Sequence, residues 1–277
     1  MTKIDNSLFF TVKKTNELTD QEIDQLLHLN NTTMKDQRTK KNFQDKYLLN
    51  FLGFSFHALM SKNNIIVGCN TVIPQEFTFF DKKYIFGQWC ETLIDKNFRG
   101  GFSNFKKLGN ILNEELLKHE ICFIYGLPNK ALYVVSKRLL GMRDIGKLDY
   151  YVYPKKLNKF LVKYSPLNQL LCFFLKILLK FKSKFKSKSE NNYIFPIHKL
   201  DNENFYKGRY GNRDEYTTLV KDNFKLIYKI DISNNHNGAK IIWIMDVLPL
   251  SKLNLESAVN ELKKIGDNVD LIIYIGK

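Results

Sequence analysis

The stretch that most restricts the fold of this chain lies between residues 56 and 120. "FHALMSKNNIIVGCNTVIPQEFTFFDKKYIFGQWCETLID" reads as successive antiparallel strands, with turns at Lys62-Asn63-Asn64 and Asp81-Lys82-Lys83. The last strand runs into Arg99-Gly100-Gly101, after which "NFKKLGNILNEELLKHE" turns helical. Phe105, Leu108, Ile111, Leu112, Leu116 and Leu117 fall on one side of that helix. Glycines at the mouth of a helix join it to a strand. They also leave bare backbone N–H groups at the positive end of the helix dipole, a cradle for an anion with Arg99 beside it.

On the N-terminal side, "LTDQEIDQLLHLNN" (18–31) starts at a Thr19 cap with Glu22 three residues on, a capping box. "FQDKYLLNFLGFS" (43–55) is a second helix ending near Gly53. Downstream, "ICFIYGLPN" (121–129) reads as a buried strand, "KALYVVSKRLLGM" as a helix ending at Gly141, and "KLDYYVYP" as a last strand. Two helices, a three-strand meander, helix, strand, helix and strand make an α/β order. Further on, "DEYTTLVKDNFKLIYKIDI", "AKIIWIMDVLP", a helix "NLESAVNELKKIG" and "VDLIIYIG" make a smaller α/β lobe. The expected boundaries are 1–157, a basic linker helix 158–192, and 193–277.

The net charge of +15 is concentrated: residues 155–188 hold ten Lys and no acidic residue. The rest is only mildly basic, which argues against a specific nucleic-acid surface. Within this segment "SPLNQLLCFFLKILLKF" starts at Ser165 and Pro166, and its apolar part makes about 22 Å of helix, short of the roughly 30 Å of a bilayer core. With "KFKSKFKSKS" behind it, 165–188 suits a helix lying on an anionic membrane surface, or else a strut between lobes with a solvated Lys tail. Cys69, Cys90, Cys122 and Cys172 form no CxxC pair and have no His at metal spacing, so buried reduced thiols and no metal are expected. No cleavable leader, GxSxG or Walker loop is present. A cytoplasmic protein is expected, held by 165–188 at the inner face of the cell membrane.

The order of elements, with "ETLIDKNFRGG" leading from the fourth strand into the next helix and "IYGLPNKALYVVSKRLLGM" after it, resembles the GNAT acyltransferase fold over roughly residues 10–154. Residues 193–277 resemble a second, degenerate GNAT half, as in tandem GNAT proteins of bacterial surface-polysaccharide gene clusters. The resemblance implies a mixed, mainly antiparallel central sheet flanked by helices, with a second, smaller GNAT-like α/β lobe. It implies acetyl-coenzyme A as co-substrate, no metal, and a small-molecule or sugar-linked acceptor such as an amino sugar of an envelope-glycan precursor. The acceptor amine or hydroxyl would attack the thioester directly.

The resemblance also assigns residues. Arg99, Gly100, Gly101, Phe102, Ser103 and Asn104 would hold the coenzyme pyrophosphate, in a loop one residue shorter than the family pattern of Arg or Gln, two residues, Gly, one residue, Gly or Ala. Leu93, Ile94 and Asn129 would contact the coenzyme. Glu91 would take the acceptor proton; the bland alternative is a sheet Glu paired with a Lys. The family's acidic Tyr falls at Lys137, which leaves Tyr133, one turn earlier, as the nearest phenol, or as a buried aromatic. For Asn129 the alternative is a helix cap. The second lobe has no Arg-Gly-Gly equivalent, so one coenzyme per chain is expected, with Arg209, Tyr210 and Asp214 shaping the acceptor site. A rival of another class is a non-catalytic GNAT scaffold recruited to a membrane or partner by 165–188. An aminoacyl-tRNA-dependent transferase, also built from tandem lobes, would need tRNA-binding helices that the chain does not show.

Overall fold

A computed structural model of the chain describes residues 7–34, 37–80, 82–99, 102–156, 159–160, 170, 197–199, 203–211, 214–234, 237–265 and 268–276. They belong to two compact units, one of residues 1–143 with 194–212, the other of 144–193 with 213–277.

The first unit is built on a sheet of order β1-β2-β3-β4-β5. Its strands are β1 (Phe9–Lys14), β2 (Phe56–Lys62), β3 (Ile65–Phe79), β4 (Lys82–Ile94) and β5 (Ile124–Gly126). All neighbours are antiparallel except β4 and β5, which are parallel. Between β1 and β2 lie α1 (Asp20–Met34) and α2 (Lys40–Leu48); α3 (Ser103–Lys118) joins β4 to β5, and α4 (Lys130–Leu140) follows. The Thr19 box forms as expected, Glu22 N–H donating to Thr19 Oγ1 and Thr19 N–H to Glu22 Oε2. Positive φ at Asn63 and Asn64 makes the tight turn between β2 and β3.

Strand alternation gives the sheet two apolar faces, each covered by a different helical layer. Ile23, Leu26 and Leu29 of α1 and Phe43 of α2 pack on Cys69, Ile73 and Leu93. Leu108, Leu112 and Leu116 of α3 pack on Phe56, Ala58 and Val72 of the opposite face. Leu117, expected on the apolar side of α3, is exposed.

The second unit has a sheet of order β6-β11-β10-β9-β8. Its strands are β6 (Asp149–Pro154), β8 (Tyr216–Lys221), β9 (Phe224–Ser233), β10 (Ala239–Leu248) and β11 (Leu271–Gly276), with α6 (Lys252–Lys264) between the parallel strands β10 and β11. Leu262 and Ala258 of α6 are buried against Leu226, Ile242 and Ile272. Each unit thus has an antiparallel meander whose last strand leads through a helix to a parallel neighbour.

Four expectations need correction. The boundaries at 157 and 193 move because β6 pairs along all six residues with β11, not with the first sheet. Conversely, β7 (Ile197–Lys199) pairs with β3 at Phe77–Phe79, beyond the point where β2 ends at Phe56 opposite Val72. The strand of 121–129 is only three residues long, and Cys122 is exposed rather than buried. Finally, β1 went unread as a strand. The linker helix 158–192 and Cys172 lie outside the described residues, apart from Lys159, Phe160 and Leu170; none of the described helices is long and apolar enough to cross a membrane.

After β7, α5 (Glu203–Tyr206) runs on as a π-helical turn, Lys207–Gly211, which packs on α2 in the first unit. Gly208 is the close-approach point. A Cβ there would lie 2.5 Å from the Asp45 carbonyl oxygen and 2.4 Å from Leu49 Cβ, whereas at Gly211 the nearest atom is 3.4 Å away. Gly208→Ala should therefore cost about 1–3 kcal/mol in urea unfolding, and Gly211→Ala little. Equal effects would contradict this packing.

Candidate active site

The site is organised by one irregularity in β4. Thr71 lies opposite Glu91 but Val72 lies opposite Trp89, so Cys90 is an extra residue, a β-bulge. The parallel pairing with β5 covers only Gly87, Gln88 and Trp89 and stops at that bulge. Asp95 N–H donates to the Val67 carbonyl at 2.8 Å. Backbone alternation then turns Glu91 and Leu93 toward β3, and Thr92 and Ile94 the other way. Among the described residues no strand pairs with β4 on that side beyond Trp89. The Ile94 carbonyl is met instead by Arg99 Nε at 2.8 Å.

Side chains divide in the opposite sense. Glu91 and Leu93 face the α1–α2 layer, Leu93 within its core. A coenzyme contact at Leu93 is therefore not what its placement offers; Thr92, which the sequence reading passed over, stands with Ile94 on the open edge. The signal that would have found Thr92 is the bulge, and no residue type marks it.

Glu91 is the electrostatic centre of the α1–α2 face. Its side chain is 12% exposed, and its Oε1 accepts from Lys46 Nζ of α2 at 2.7 Å and from Arg38 Nη1. Arg38 stands in the α1–α2 connection, where Asn31 clamps its backbone from both sides: Asn31 Nδ2 donates to the Arg38 carbonyl and Arg38 N–H to Asn31 Oδ1. Burial would raise the carboxyl, but the charges of Lys46 and Arg38 override it and hold Glu91 at about 2. A carboxylate this acidic is a weak proton acceptor near neutrality. The arrangement suits an ion-pair anchor better than a base.

Beside it His57 is buried between Thr15 Oγ1 at 2.9 Å and Thr71 Oγ1 at 3.2 Å, and stacks on Phe43. Burial, with Lys46 adding to it against Glu91, drives His57 down to about 3, so the ring is neutral. Burial also pushes the thiols of Cys69 and Cys90 up to about 12 and about 11, which leaves no thiolate nucleophile there. Further along this face Tyr125 donates to Gln75 Oε1 at 2.6 Å, and Gln75 Nε2 donates to Gln88 Oε1. Arg209 and Tyr210, expected from the second lobe, belong to the first unit, and the Arg209 charge is felt at Cys90. Asp214 belongs to the second unit.

At the end of β4 the chain passes Arg99 into α3. Gly100 and Gly101 lie outside the described residues. Phe102 is the N-cap, without a side-chain bond, and Asn104 Nδ2 donates back to the Phe98 carbonyl at 3.1 Å. The N–H groups of Ser103, Asn104 and Phe105 belong to the first turn, where no helical carbonyl precedes them. Asn129 caps α4, its Oδ1 accepting from Leu132 N–H at 2.9 Å, and Gly141 closes that helix at φ +66°. Tyr133 is 40% exposed, not a buried aromatic; its hydroxyl accepts from Lys137 Nζ at 3.1 Å.

No protein-family model matches the chain, and no curated protein sequence does. Solved structures do. The chain aligns over 96% of its length with a conserved protein of Enterococcus faecalis described as a probable N-acyltransferase, at 12% identity and a TM-score of 0.59. It aligns equally with a GCN5-related N-acetyltransferase from Anabaena variabilis, at 14% identity and 0.58. One from Kribbella flavida aligns over 97%, at 7% and 0.56. The chain spans 65%, 66% and 64% of those three chains, respectively. The fold is that of the GCN5-related N-acetyltransferases, a mixed α/β fold, as the element order implied.

Removing one partner from a buried ion pair strands the other, typically at a cost of about 3–5 kcal/mol. Glu91→Gln should lose that much in urea unfolding at pH 7. Because the folded-state pKa is depressed, the wild-type contribution is complete above about 4.5 and fades as pH falls toward about 2. The gap between the two proteins should close over that window. A gap that is absent at pH 7, or constant down to pH 2.5, would contradict the ion-pair assignment.

Proposed function

We propose that this protein is an acyl-coenzyme A-dependent N- or O-acyltransferase acting at the open edge of β4. The observation that carries the reading is the coincidence of three features on one path. β4 leaves β5 at the Cys90 bulge, its Thr92 and Ile94 backbone groups face the gap, and the strand ends at Arg99 and the start of α3.

The residues present fit an acyl-coenzyme A. Arg99 and the first-turn N–H groups of α3 supply charge and donors for a pyrophosphate. The β4 edge supplies strand-type donors and acceptors for the amide-bearing arm. A small cavity beside Trp89 and Ile124 is lined by Asn70, whose buried amide atoms have no partner among the described residues. The thioester would supply an activated carbonyl: the acyl C–S bond gives way to a C–N or C–O bond, and the acceptor's proton passes to the leaving coenzyme thiolate, directly or through water. The protein's part is positioning. Edge N–H groups of β4 would polarise the carbonyl, and the Glu91–Lys46–Arg38 cluster would fix the wall on the α1–α2 side. We assign delivery of a proton to Tyr133, which is exposed beside Lys137.

The acceptor we favour is an amino sugar or related envelope-glycan precursor, in keeping with the tandem GNAT resemblance. The repetition of meander, helix and parallel strand in both units supports that resemblance. A peripheral seat on an anionic membrane through 165–188 is part of the same proposal and rests on the basic apolar sequence alone.

Calorimetry tests the central step. Coenzyme A should bind at one site per chain. Ser103→Asp should weaken it roughly tenfold or more, since its carboxylate opposes the pyrophosphate, while the same charge at a helix start leaves stability unchanged or slightly raised. Absence of binding at millimolar coenzyme would overturn the enzyme reading and favour the non-catalytic scaffold.

A further inference from the structure

Asn70 is completely buried in β3, and neither end of its amide has a hydrogen-bond partner among the described residues. Directly across from it, in the register Asn70 opposite Thr92, the Thr92 hydroxyl is also buried and without a partner among the described residues. Both side chains stand on the α3 face, in a sheet whose neighbours there are Val72, Trp89 and Ile94. Buried polar groups are nearly always satisfied, so two facing orphans on one strand pair ask for an explanation.

Thr92 stands across the strand pair from Asn70, which borders a cavity. Its walls are Val72 and Asn70 of β3, Trp89 of β4, Ile124 of β5, Gly109 and Leu112 of α3, and Leu140 with Met142 at the end of α4. The volume is about 50 Å³, room for about four non-hydrogen atoms. The cavity is lined by Trp89, the last β4 residue paired with β5, and by Ile124 of β5. Most of the wall is apolar; its polar residues are Asn70 of β3 and Asn113 of α3, and of the two only Asn70 has buried amide atoms without a partner among the described residues. An acetyl group places one carbon beyond its carbonyl, and would leave most of this space empty and the amide unpaired.

We propose that this cavity is the acyl pocket and that Asn70, with Thr92, pairs a hydroxyl on the acyl chain, so that the donor is a short hydroxyacyl-coenzyme A rather than the acetyl-coenzyme A the family resemblance implies. The proposal rests on the acyltransferase reading above. Asn70 offers one donor and one acceptor to a hydroxyl, which needs both. Val72, Leu112 and Leu140 line the path of the carbon chain. Sites built to bond a hydroxyl reject the analogue lacking it far more strongly than apolar pockets reject an extra methylene. Selectivity should therefore lie in the oxygen and not in chain length alone.

The test is equilibrium binding without acceptor, by calorimetry, using non-hydrolysable thioether analogues of acetyl-, butyryl- and 3-hydroxybutyryl-coenzyme A, with coenzyme A itself as reference. The hydroxybutyryl analogue should bind roughly tenfold or more tightly than both others. Asn70→Leu should erase that preference and leave coenzyme A affinity unchanged; Thr92→Val should reduce it, and serves if Asn70→Leu does not fold. Equal binding of butyryl and hydroxybutyryl analogues overturns the proposal in favour of a plain apolar pocket with water on Asn70. Tightest binding of the acetyl analogue overturns it in favour of acetyl transfer. If coenzyme A and all three analogues fail to bind, the acyltransferase reading itself has failed; if coenzyme A binds and only the pattern differs, this inference alone falls.

Discussion

The extra residue at Cys90 governs the site because β4 must serve two partners that diverge. On one side it stays paired with β3 from Lys82 to Ile94; on the other its pairing with β5 ends at Trp89. A bulge sharpens local twist and bends the strand that contains it, so its position is also where the two parallel neighbours separate. Past that point the backbone of Thr92 and Ile94 has no sheet partner among the described residues. A polypeptide cannot leave such groups dry without cost; the Arg99 side chain answers one of them. The same device recurs in the second unit. β10 has a register shift between Ile244 and Asp246, and its parallel pairing with β11 ends at Ile244. There the strand is followed by Pro249 and the Ser251 cap of α6, with no glycine loop and no arginine.

What holds the α1–α2 layer against this strand is chiefly apolar, with one charged exception. Glu91 would be expensive to bury alone. Lys46 from α2 and Arg38 from the α1–α2 connection converge on it, so the carboxylate joins three separate pieces of chain. Its low pKa is the signature of that role. A group that holds two cations in place is a poor proton acceptor, and the two tasks compete for the same lone pairs.

Much of this architecture was legible in the sequence because it is local. The Thr19–Glu22 box, the Lys62–Asn64 turn, the apolar stripe of α3 and the Gly141 stop each depend on residues a few positions apart. The period-2 pattern also placed Glu91 and Leu93 on one face and Thr92 and Ile94 on the other. What was illegible is non-local. Arg38 and Lys46 stand 53 and 45 residues from Glu91, and no pattern announces the pairing. "DYYVYP" reads as a strand, but six residues cannot say which sheet they complete. A bulge leaves no compositional mark, so the sequence alone does not say that the backbone groups of Thr92 and Ile94, rather than those of Leu93, face away from β3. Asn70 sits inside an apolar run and shows its isolation only when its neighbours in space are known.

The account stands or falls on the open edge of β4. Residue-resolved amide hydrogen exchange, with and without coenzyme A, measures that edge directly. Exchange at Thr92, Ile94 and the first turn of α3 should slow on binding, while Glu91 and Leu93, whose amides are already bonded to β3, should be unaffected. Slowing at Glu91 and Leu93 without change at Thr92 and Ile94, or protection confined to the second unit, would contradict it.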